Sequence, residues 1–121
     1  MTNYSHGHDA EKVAAEYLKS HGYTVLELNW RHVRAEIDIV AHKRSLLRLQ
    51  KHPMVFFEVK YRKTAEQGNG LDYITQKKLL QMQFAAELWV ATHNYRGEYT
   101  LGAIEVSGND FQVTAVIENI T

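Results

Sequence analysis

Apolar residues near the start of the chain recur at helical spacing. Ala10, Val13, Ala14, Tyr17 and Leu18 form one stripe, which predicts a helix over residues 9–20. Asp9 or His8 can open it, and Gly22 supplies a stop. Residues 1–8 read as a flexible tail. Beyond Gly22 the pattern becomes short apolar runs rich in β-branched and aromatic residues, predicting strands over 23–29, 36–41 and 54–61. Helical spacing returns over 74–92, with Ile74, Gln81, Phe84, Ala85, Leu88 and Trp89 as the expected buried side. Two further strands, 99–106 and 111–117, flank the turn Ser107-Gly108-Asn109-Asp110. Residues 29–35 read as a connection, and 62–72 as a loop centred on Gly68-Asn69-Gly70. The segment 43–53 carries Leu46, Leu47 and Leu49. It suits either a short amphipathic turn or an extended hairpin arm, ended by Pro53. The order α-β-β-β-α-β-β implies one α/β domain spanning 1–121, a central mixed sheet flanked by helices.

Composition narrows the function classes. The chain has 121 residues, 45% of them apolar, enough for one core. No apolar run is long enough to span a membrane. The first residues lack the basic-then-apolar pattern of a secretion signal, and there is no cysteine for a disulfide or thiolate site. A cytoplasmic location is the expectation. Net charge is zero, but it is unevenly spread. Between Arg31 and Lys63 nine basic residues face three acidic ones, a local excess of +6: Arg31, Arg34, Lys43, Arg44, Arg48, Lys51, Lys60, Arg62 and Lys63 against Glu36, Asp38 and Glu58. Such a field suits a phosphodiester substrate. A solvated basic hairpin accounts for the same charges.

Those three acids carry the candidate chemistry. Strand alternation puts Glu36 and Asp38 on one face, Glu58 and Lys60 on one face of the next strand, and Ile37 and Ile39 on the opposite side. Hydrolysing a phosphodiester requires an activated water, stabilisation of added negative charge and a neutralised leaving oxygen, and Mg²⁺ can assist all three. Asp38, Glu58 and the carbonyl of Val59 form a plausible partial oxygen shell, with Glu11 and Glu36 ligating directly or through water. Lys60 can orient water or stabilise developing charge. A surface ladder of ion pairs is the competing explanation. Lys77 and Lys78 open the second helix, where the helix dipole disfavours cations, so a phosphate contact competes with ordinary solvation. The histidines show no metal-ligand spacing, and no glycine-rich cofactor loop is present, so no organic cofactor is expected.

The motifs Gly7-x-x-x-Glu11, Asn29-x-Arg31, Ala35-Glu36-Ile37-Asp38-Ile39-Val40-Ala41, Phe56-Phe57-Glu58-Val59-Lys60-x-Arg62 and Ile117-Glu118-Asn119 resemble the UPF0102 (YraN-like) family. That family is similar to the Holliday-junction-resolvase branch of the restriction-endonuclease-like PD-(D/E)XK nucleases. The resemblance implies a restriction-endonuclease-like sheet, Mg²⁺ or Mn²⁺ dependence, DNA as partner, and Glu11, Asp38, Glu58 and Lys60 as the catalytic set. Cutting both strands of a junction would call for a homodimer. Ala10 and Ala35 stand where the family usually has glycine, Thr100-Leu101-Gly102 replaces Arg-Phe-Asp, and Lys78 matches a family lysine. Two alternatives stay open: an inactive nucleic-acid-binding module of the same fold, and an interaction protein docking through its leucine arm.

Overall fold

In the computed structural model, which describes residues 3–45, 52–64 and 72–120, the elements follow the expected order. They are α1 (Asn3–Ser20), β1 (Tyr23–His32), β2 (Ala35–Lys43), β3 (Met54–Arg62), α2 (Gln76–Thr92), β4 (Tyr99–Ser107) and β5 (Gln112–Ile117). The leucine arm and the Gly68-Asn69-Gly70 loop lie outside the described residues. The sheet order is β1-β2-β3-β4-β5. Among the described residues only β3 and β4 run parallel, and α2 is the crossover that parallel neighbours require. The other pairs are antiparallel. The chain is thus a single α/β domain with a mixed sheet between two helices.

α1 packs on one face through Ala10, Ala14, Ala15 and Leu18, against Ile39, Ala41, Val55, Phe57, Ile104 and Val106. Three alanines let its backbone sit close to the sheet. The helix starts at Asn3, so residues 3–8 are helical rather than a tail. The reason is tertiary: the His6 ring meets Tyr61 at 5.3 Å and Phe111 at 6.2 Å, neither of which is near in sequence.

α2 covers the other face, where Met82, Ala85, Ala86 and Trp89 meet Ile37, Val40, Phe56 and Leu101. This stripe is turned from the expected one. Ala85 and Trp89 are shared, but Gln81 is exposed and Phe84 is 52% exposed. Met82 and Ala86 take the inner positions, roughly the 100° turn that one residue makes. Thr75 caps the helix, its Oγ1 accepting from the Lys78 amide at 3.1 Å.

Two features of the sheet shape the site. First, β2 and β3 stay paired only from His42↔Met54 to Ile39↔Phe57 and then part. Second, the alternation of β2 breaks. Ile39 belongs to the α1-side cluster and Ile37 to the α2-side cluster, so they do not share a face as alternation predicts. The break falls where Asn29 of β1 takes a left-handed φ of 51°, between the pairs Leu28↔Ile39 and Trp30↔Ile37. In β4, Gly102 replaces a residue that would collide: a Cβ there would lie 2.7 Å from the Phe57 ring.

Candidate active site

The opening between β2 and β3 is filled by Asp38. Its carboxylate leaves β2 and accepts a hydrogen bond from the Val59 amide at 2.8 Å. The side chain is buried, and burial, followed by the charge of Glu58, pushes its pKa up to about 8 against 3.8 for a free aspartate. Glu11 and Glu36 push the same way. Glu11 arrives from α1, one residue after the fully buried Ala10, which fixes its place above the sheet. Burial raises its pKa as well, opposed by Asn29 and Asp38 within hydrogen-bonding reach. Asp38 is therefore within electrostatic reach of Glu11, Glu36 and Glu58, and Glu11 within reach of Glu36.

The cation beside them is a different lysine from the expected one. Lys78 Nζ, from the first turn of α2, lies 2.8 Å from Glu58 Oε1. Burial would depress its pKa, but the Glu58 bond and the charges of Asp38 and Glu36 raise it overall. Lys60 is exposed, makes no ion pair among the described residues, and rests 5.7 Å from the centre of the Tyr73 ring. Tyr73 has a buried hydroxyl with no hydrogen-bond partner among the described residues. Burial, then Glu58 and Glu105, raise its pKa.

A cleft of about 510 Å³ opens beside Glu36 and Glu58. Its walls include Arg31 and Arg34 from the β1–β2 hairpin and Lys78 from α2. Asp38, Glu11 and Lys60 do not line it. Arg31 lies 3.7 Å from Glu36 at its rim, and Val33 at the hairpin tip is 92% exposed.

The remaining basic candidates lie elsewhere. Lys43 pairs with Glu118 at 3.0 Å, and Arg44 donates to the carbonyls of Tyr23 and Lys19. Lys43 ends β2 and Arg44 follows it, roughly 17–20 Å from Asp38 at about 3.3 Å per residue. Arg62, expected on the surface, is only 10% exposed in its side chain, its Nε 2.9 Å from Glu105 Oε2, at ion-pair distance but not aligned as a hydrogen bond. Lys63 and Lys77 are exposed, and Arg48 and Lys51 lie outside the described residues.

An all-oxygen donor set suits a hard cation such as Mg²⁺. Among the described residues no three His, Cys, Asp or Glu side chains form a ready cage. Mg²⁺ does not demand one, since it is commonly held by one or two carboxylates and keeps several waters. Asp38 and Glu58 meet that requirement in kind. Burial first, and the charge of Glu58 second, raise the Asp38 pKa, and a bound cation would offset both by favouring the ionised form. At Val59 the group seen engaged is the amide, not the carbonyl.

The profile described as "Uncharacterised protein family UPF0102" matches residues 10–116. The chain belongs to the UPF0102 family. A UPF0102 protein of Cytophaga hutchinsonii is 33% identical over 113 residues, covering 93% of this chain and 94% of its own length. One from Christiangramia forsetii is also 33% identical, over 93% of this chain and 81% of its own length. One from Pseudomonas fluorescens is 37% identical over 74% and 72%. Within this UPF0102 chain, sequence reasoning missed Asn29 and Tyr73 and misjudged which lysine meets Glu58. Asn29 had a trace in the Asn-x-Arg motif, and Lys78 in its awkward place at a helix start. Tyr73 carried no signal. No helix among the described residues is long and apolar enough to cross a membrane.

Proposed function

We propose that this chain is a Mg²⁺- or Mn²⁺-dependent endonuclease that hydrolyses DNA phosphodiester bonds, branched DNA included. One observation carries the reading. A buried aspartate, pinned to the strand that bears Glu58, sits behind a cleft with arginines on its rim. The charges of Glu58, Glu11 and Glu36 all oppose ionisation of Asp38, the kind of perturbed cluster that marks functional sites.

Asp38 and Glu58, with Glu11 and Glu36 behind them, are the residues to hold the cation. When bound, the cation supplies Lewis acidity and a water of lowered pKa. Arg31 and Arg34 bind the phosphate backbone and orient it along the cleft. The Val59 amide fixes the Asp38 carboxylate, so its lone pairs are preorganised. Lys60, which makes no ion pair among the described residues, is available to a substrate oxygen.

A labelled four-way junction and a matched duplex test this directly. Cleavage in Mg²⁺ or Mn²⁺, abolished by chelator and by Asp38→Asn, is the expected result. Sedimentation of the same protein checks the two-fold dimer that paired cuts require. The Glu58–Lys78 pair favours a second reading, an inactive module of the same fold, because it satisfies Glu58 without metal. That reading gives salt-sensitive DNA binding with no products, unchanged by Asp38→Asn.

A further inference from the structure

We propose that Lys78 is the resident counter-ion of the carboxylate cluster, and that a divalent cation takes Glu58 from it, freeing the ammonium to meet a phosphodiester in the cleft. The inference rests on the metal-dependent reading above and adds a residue to it. Lys78 Nζ stands 2.8 Å from Glu58 Oε1, with Asp38 and Glu36 also acting on it. Glu58 is the more enclosed partner, its side chain 19% exposed against 35% for Lys78. The carboxylate has lone pairs for both, but a divalent cation on it repels an ammonium held 2.8 Å from Oε1 and draws away the charge that holds it. Binding of a divalent ion therefore competes with the pair.

The lysine has somewhere to go. It shares the cleft wall with Arg31 and Arg34. The Thr75 cap holds its backbone while the four-carbon stem stays free to swing. Helix stability gives no reason for a cation here, since the first turn of a helix repels positive charge. The site does: without metal the cluster needs a positive charge, and with metal the substrate does.

The test uses Mn²⁺ alone, titrated calorimetrically into the wild type, Lys78→Met and Lys78→Arg. Lys78→Met, which keeps the stem and drops the charge, is expected to bind Mn²⁺ on the order of tenfold tighter, the scale of one charge-assisted pair. Lys78→Arg should stay near wild type. A second measurement needs no variant. Acetylation of Lys78 by an amine-reactive reagent, read by mass spectrometry, should rise severalfold when Mn²⁺ saturates the wild type, while Lys77 is unaffected. Equal or weaker Mn²⁺ binding by Lys78→Met, or reactivity unmoved by saturating Mn²⁺, overturns the role of Lys78 and leaves the metal reading standing. No Mn²⁺ binding by any of the three proteins overturns both.

Discussion

Replacing Asp38 by asparagine should stabilise the metal-free protein at alkaline pH. The folded pKa of Asp38 is about 8, raised from 3.8. Ionising it in the fold is harder than in the unfolded chain. Its favourable contribution is complete below 3.8 and is lost as pH climbs toward 8. Asparagine cannot ionise, and its carbonyl can still accept from the Val59 amide. The full interval corresponds to no more than about 6 kcal/mol. Glu11 is raised too and shares the burden, and the neighbouring carboxylates relax, so a realistic advantage is smaller. Urea denaturation followed by fluorescence of Trp30 and Trp89, in chelator, reads it. The stability of Asp38→Asn relative to wild type should grow by about 2 kcal/mol between about pH 5 and about pH 8.5. A pH-independent difference, or a variant less stable than wild type at the higher pH, would refute the reasoning. Saturating Mn²⁺ should shrink the advantage, because it stabilises only the chain that binds it.

Other predictions follow from single contacts. Gly102→Ala places a methyl group against the buried Phe57 ring and should cost about 1–3 kcal/mol, seen as a lowered melting temperature. Asn29→Ala should lose about 1–2 kcal/mol because alanine resists a φ of 51°, whereas Asn29→Gly should hold stability but weaken Mn²⁺ binding by freeing Glu11. Arg31→Ala with Arg34→Ala should lower the salt slope of DNA binding by about two, measured by fluorescence anisotropy, while Lys43→Ala with Arg44→Ala leaves it unchanged.

Much of this protein was legible from its residues in order. Period-two and helical spacing are local properties of the backbone, so the seven elements and their sequence could be read directly. Strand spacing singled out Glu36, Asp38 and Glu58, whereas Glu11, which by pattern alone reads as an exposed helix acid, entered through the family resemblance.

What spacing could not supply was the company each side chain keeps. Arg62 looked like a surface cation until β4 brought Glu105 beside it. Lys60 shared a strand face with Glu58, yet Lys78, twenty residues away, reached its carboxylate from above. Alternation assigned Ile37 and Ile39 to one face, yet they pack in the two different cores, beside a left-handed residue of the neighbouring strand. Periodicity is set within a few bonds, whereas charge pairing and strand reversal depend on which elements meet across space. The sequence determined which elements and carboxylates this protein has. Tertiary packing decided which cation answers them and where the cleft opens.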